Sequence, residues 1–83
     1  MSPGAANQST KHASAREALA ANIVALRHEK GWSQEVLAFE CGLHRTFVAH
    51  VERLSRNISL DNVERLAVAL GVQPYELLKP RSD

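Results

Sequence analysis

The stretch Ser33-Gln-Glu-Val-Leu-Ala-Phe-Glu-Cys-Gly-Leu-His-Arg-Thr-Phe-Val-Ala-His-Val-Glu-Arg-Leu-Ser-Arg-Asn57 decides the fold. It reads as two short helices joined by a tight turn at Gly42-Leu43. Ser33 caps the first, which runs to Cys41 and stops at Gly42, where glycine tolerates a left-handed backbone. The second covers roughly Arg45 to Arg53, behind His44, a poorer N-cap than Ser, Thr, Asp or Asn. Turning about 100° per residue places Arg45, Thr46, Ala49, His50 and Arg53 within about 140° of arc. Phe47, Val48, Val51 and Leu54 take the opposite side, which must then face a core.

Outward from this pair the helical punctuation continues. Ser14 is an N-cap with Glu17 three places on, a capping box, and Leu19, Ile23 and Leu26 recur at helical spacing until Gly31. Ser55-Arg-Asn-Ile58 reads as a loop. Ser59 then caps a fourth helix with an apolar stripe of Leu60, Val63, Leu66, Ala67 and Leu70, ended by Gly71. Pro74 suits the first turn of a short fifth helix, Tyr75 to Leu78, and Pro80 closes the order. There is no strand pattern and no internal repeat. The expectation is a compact all-α domain of five helices, with residues 1–13 a small, polar, mobile arm, 14–80 the folded domain and 81–83 a tail.

Composition sets the outer bounds. Eighty-three residues make one domain, and 45% hydrophobic content is ample for a core although only 5% is aromatic. So small a chain has a thin stability margin, which a partner subunit often supplements. Cys41 is the only cysteine, so no intrachain disulfide forms, and a lone thiol fits a reducing, cytoplasmic setting. No apolar segment follows Met1, so no signal peptide is expected, and Leu66 to Leu70 is too short an apolar run for a membrane.

The net charge of +1 says little, but its distribution says more. From His44 to Asn57 three arginines (45, 53 and 56) oppose one acid, Glu52. From Ile58 to Leu78, Asp61, Glu64 and Glu76 oppose Arg65 alone. Positive charge gathers around the third helix, as attraction to a phosphate backbone requires.

That helix carries an outer side free of acids and rich in groups that read base edges. Arg45 suits bidentate donation to guanine N7 and O6. Thr46 suits a base or phosphate contact, Ala49 leaves room for close approach, and His50 donates to or accepts from a base edge. Arg53, a turn later, suits a phosphate or an outer base. Ser33 and Gln34, at the start of the second helix with its exposed N–H groups, suit a phosphate. Arg56 and Asn57 follow in the loop and suit the strand beyond, although Asn57 also suits a loop-shaping, left-handed backbone. These residues point to sequence-specific binding of double-stranded DNA in the major groove.

Gly31-Trp-Ser-Gln-Glu-Val-Leu-Ala38, Val48-Ala-His-Val-Glu-Arg53 and Leu66-Ala-Val-Ala-Leu-Gly-Val72, followed by Pro74 and Leu77-Leu78, together resemble the lambda-repressor-like helix-turn-helix family, which includes Cro. The resemblance covers about Arg16 to Lys79. Within the family, His44 to Leu60 is most similar to the controller proteins of restriction–modification systems, where Asp-Arg-Thr-Tyr-Ile-Ser, then Glu-Arg and Arg-Asn, is typical. The resemblance implies a helix-turn-helix built from helices two and three, base reading by Arg45 and Thr46, and DNA contacts from Arg53, Arg56 and Asn57. It likens Gln34 to the family's phosphate-contacting glutamine and pairs Arg27 with Glu52 as an internal brace. It also implies a transcription regulator, a homodimer on a pseudo-palindromic operator, for which Val72, Tyr75 and Leu78 are the expected subunit contacts while Leu77 turns into the core. His44, Ala49 and His50 depart from the controllers' acid or hydroxyl cap, Ser and Gly, so the operator sequence does not transfer.

Other chemistry finds little footing. His12, His28, His44, His50 and Cys41 match no closed zinc set, so no metal is expected, and Cys41 is read as a small buried hydrophobe. No phosphate loop, Ser-His-Asp set or paired carboxylates stand out, so an enzyme, a cofactor or a small-molecule effector is not expected. The competing reading is an antitoxin-type module that binds a toxin and its own promoter.

Overall fold

Ser14, Ser33 and Ser59 each place a side-chain oxygen over the first free amides of a helix. Ser14 Oγ accepts from Glu17 N at 3.1 Å while Glu17 Oε1 accepts from Ser14 N at 3.0 Å, closing the capping box. Ser33 accepts from Val36 N and Ser59 from Asn62 N, both at 3.1 Å. The computed structural model describes residues 14–54 and 57–81. Within them the helices are α1 (Ala15–Glu29), α2 (Gln34–Cys41), α3 (Arg45–Glu52), α4 (Leu60–Leu70) and α5 (Pro74–Leu78). The expected arm, Arg56 and the last two residues lie outside the described residues.

The turn between α2 and α3 needs glycine. Gly42 has φ 73°, and a Cβ there would also stand 3.3 Å from Arg65 Nη1. Leu43 N then bonds back to Ala38 O at 2.9 Å, so the chain reverses within two residues.

One core joins all five helices. Leu19 and Ile23 of α1 meet Leu37, Ala38 and Cys41 of α2, Val48 and Val51 of α3, Val63, Leu66, Ala67 and Leu70 of α4, and Leu77 of α5. α1 packs on α5 and α3, α2 packs on α3 and α4, and α4 closes against α5. Trp32 packs at the turn after α1, its ring 5.1 Å from Lys30 Nζ.

Several expectations need correction. α3 ends at Glu52 rather than Arg53, and α5 begins at Pro74 rather than Tyr75. Leu60, expected on the core stripe, is 75% exposed. It opens α4 at the rim of a surface groove that Ala15 and Leu78 also line, and Ile58 packs against the core instead. Leu54, expected on the buried side of α3, is exposed with φ 64°. The helix has already ended, so helical extrapolation no longer predicts where residue 54 points. Arg81, placed in the tail, is tied back to α1 through Asn22.

Candidate nucleic-acid interface

α3 is held in place from behind by one carboxylate. Glu52, in its last turn, receives Arg27 Nε on Oε2 at 2.8 Å and Arg27 Nη2 on Oε1 at 3.0 Å. Gln34 Nε2 donates to the same Oε1 at 2.8 Å. Arg27 Nη1 donates in turn to Trp32 O at 3.0 Å. The Arg27 and Glu52 side chains are 11% and 6% exposed, so the pair is shielded from water and its fork geometry is bidentate. Three N–H groups therefore fix the C-terminal end of α3 to α1 and to the start of α2, while Val48 and Val51 anchor its inner side.

The opposite side of α3 turns outward. Arg45, Thr46 and Arg53 are exposed, and Ala49 and His50 are half-buried between them. Phe47 packs partly against the core, as expected for the inner side. His44 makes no side-chain cap bond, matching its weak capping chemistry. Arg53 Nη2 lies 3.4 Å from His50 Nδ1, and donation there requires the imidazole proton to sit on Nε2. His50 thus restrains Arg53, a contact that helical spacing of three residues permits but residue identity alone does not announce.

The start of α2 is partly committed. Ser33 Oγ spends an acceptor lone pair on Val36 N, and Gln34 spends one amide N–H on Glu52. Gln34 retains its second N–H, and Ser33 retains its hydroxyl proton. Asn57, beyond α3 in the loop before α4, is exposed. Val72 and Leu78 are half-buried, Tyr75 is 67% exposed, and Leu77 is fully buried.

Three features escaped the sequence reading. The Gln34–Glu52 bond joins residues 18 apart, with no local signal. Asn22 is buried on α1, where an amide among apolar neighbours was the only hint. Phe39 is 82% exposed, and the 100° rule would have found it, since it lies across α2 from Leu37, Ala38 and Cys41.

Other chemistry stays quiet around this face. Cys41 is buried, its Sγ donating to Ala38 O at 3.7 Å, and burial pushes the thiol above its usual range. Among the described residues, no three His, Cys, Asp or Glu side chains come together to hold a metal ion. No helix among them is long and apolar enough to cross a membrane.

A helix-turn-helix family model matches residues 23–77. A hypothetical transcription factor of Neisseria meningitidis serogroup B is 55% identical over 68 residues, covering 82% of this chain and 64% of that protein. Its crystal structure superimposes with a TM-score of 0.77, covering 78% of this chain and 75% of the other. Control protein C.BamHI of Bacillus amyloliquefaciens is 63% identical over 46 residues, 55% of this chain and 57% of that protein. The chain therefore spans less than two-thirds of the length of either curated relative. A point mutant of the restriction–modification controller C.Esp1396I, bound to its highest-affinity operator site, is 33% identical with a TM-score of 0.70. That match covers 81% of this chain and 92% of the other.

Proposed function

The chain belongs to the helix-turn-helix family, of the Cro/C1 type, and from that premise we propose that it is an operator-binding transcription regulator. It works as a homodimer on a pseudo-palindromic site, in the manner of a restriction–modification controller, in the cytoplasm and without catalysis. Residues 14–80 form the DNA-binding unit, joined by Arg81 through its bond to Asn22.

One observation carries this reading. The side of α3 that bears Arg45, Thr46, Ala49, His50 and Arg53 faces outward, while its inner side and its C-terminal end are fixed by the core and by Glu52. A rigid helix with an acid-free outer face suits the major groove, since base contacts need side chains aimed from a fixed backbone. Arg45 donates to guanine, Thr46 and Ala49 meet bases or a thymine methyl, and His50 meets a base edge. Arg53, Ser33, Gln34, Arg56 and Asn57 take phosphates or outer positions. Phosphate contacts of this kind set register and carry the salt dependence of binding.

Val72, Tyr75 and Leu78 supply the subunit contact, which places two reading helices roughly 34 Å apart, one duplex turn. The exposed ring of Tyr75 is the anchor of that contact, since aromatic side chains dominate interface energetics. The relatives support a regulator: one is a hypothetical transcription factor, another a control protein, and a third sits on its operator. The toxin-binding alternative gains no support from them.

The test is to select bound duplexes from a random pool at stated salt, then titrate Arg45→Ala on the selected and a scrambled duplex. The variant should lose about 1–3 kcal/mol on the selected duplex and accept other bases at one position. Equal losses on both duplexes would remove Arg45 from the base-reading role. Failure to enrich any sequence would end the regulator reading.

A further inference from the structure

One buried polar side chain has no part in the reading face. Asn22, on α1, is 3% exposed. An amide this buried is tolerated only when it is hydrogen-bonded. Its Nδ2 donates to Leu77 O and to Lys79 O, both at 2.8 Å. Its Oδ1 accepts from Arg81 Nη1 at 3.2 Å. All three bonds therefore reach across 55 to 59 residues to α5 and the segment just after it. Two of them satisfy carbonyls at the place where a helix end leaves its carbonyls without partners.

α5 needs this help. Its five residues are far too few to stand as a helix alone. Leu77 anchors the inner side at 0% exposure and Leu78 packs partly on the core beside it, but adjacent side chains on so short a helix do not by themselves fix its tilt. The Asn22 bonds hold the far end and fix the tilt. The outer side of the same helix carries Tyr75, and Leu78 stands half-buried beside it. These are the residues assigned above to the second copy of the chain.

We propose that Asn22 and Arg81 form a latch that sets the pose of α5 and thereby sets how tightly one protomer holds another. The inference rests on the homodimer reading and deepens it. Asn22 and Arg81 are positioning residues, acting on the contact through Tyr75 and Leu78. In a twofold contact the same patch serves both subunits, so any misplacement of α5 enters twice. The latch therefore governs the protein concentration at which dimers form and an operator fills. Arg81 is its exposed half, removable without opening the core.

Sedimentation equilibrium of the full chain tests this on wild type, Arg81→Ala, Arg81→Lys and Asn22→Leu. Each is paired with titration on a duplex carrying a single half-site of the selected sequence. Arg81→Ala should raise the dimer dissociation constant about three- to tenfold, the scale of one hydrogen bond. Asn22→Leu should raise it more than about tenfold, since two carbonyls lose their donor. Arg81→Lys should recover most of the loss, because an ammonium also donates to Asn22. Half-site affinity should stay within about twofold throughout, because α3 is braced elsewhere. If Asn22→Leu does not fold, the two Arg81 variants decide. A wild-type dimer whose constant Arg81→Ala leaves unchanged overturns the latch and spares the homodimer. Half-site losses matching the dimer losses also overturn it, since they would mean general loosening. A wild type that stays monomeric at every concentration overturns both.

Discussion

α3 and α5 are both short helices that tertiary contacts must hold, and the chain holds them differently. α3 is clamped by a shielded ion pair and an amide converging on Glu52, with Val48 and Val51 beneath. α5 is held by the buried Leu77, by Leu78 packed partly on the core and by the Asn22 amide, with an exposed arginine completing the set. α3, the proposed reading helix, is thus fixed as a body while its outward side chains remain free to vary, which suits a surface proposed to present groups to bases in register. α5, proposed above as the subunit contact, has one of its holding groups at the surface, so its pose is adjustable by small changes. Rigidity sits where specificity is proposed, and tunability where assembly is.

The contrast is broken most severely at Glu52. Glu52→Ala leaves Arg27 charged, nearly buried and unpaired, and chemical denaturation should show a loss of about 3–5 kcal/mol. A loss near that of the exposed Arg81→Ala would mean that α3 is no more firmly clamped than α5. The base discrimination proposed for Arg45 comes next in expected size and depends on the same clamp.

Leu54 sharpens the contrast from the other direction. It holds φ 64° at the end of α3, a region that costs a branched side chain roughly 1–2 kcal/mol. Asparagine tolerates that backbone better, and Leu54, at 40% exposure, has only part of its side chain to uncover. Leu54→Asn should therefore stabilise the fold by up to about 1 kcal/mol, read as a rise in denaturation midpoint with unchanged slope. A destabilised variant would show that the leucine side chain matters more than its backbone strain.

The smallest effect concerns Cys41, buried at the end of α2. Burial raises its thiol above the unfolded-chain value, so the thiol is neutral in both states at low pH. Its contribution is fully present below about 8.5, the unperturbed value. It is lost as pH climbs from there through the raised folded value, because the unfolded chain ionises first. The stability difference between wild type and Cys41→Ala should accordingly narrow from about pH 8 upward. A difference that stays flat over that range would show that the thiol ionises equally in both states.

Much of this architecture was legible before any coordinates. The serine caps at 14, 33 and 59, the glycine stops at 42 and 71 and the proline start at 74 all mark helix ends. The division of α3 into Val48 and Val51 against Arg45, Thr46 and Arg53 followed from helical spacing alone. The same spacing misled at Leu54 and Leu60, one past the end of its helix and one at the very start, where a stripe no longer implies a neighbour.

What the amino-acid order determined by itself was therefore local: where each helix starts and stops, and which side of it is apolar. Those features depend on hydrogen bonds and side-chain spacing within about four residues, which any isolated segment already contains. Only the packed tertiary structure decided that Gln34 joins Glu52 and that Asn22 reaches Leu77, Lys79 and Arg81. Such pairings depend on how each helix is rotated and shifted against the next. The core as a whole sets those quantities, since a slight turn of α1 or α5 would separate these partners beyond hydrogen-bonding distance.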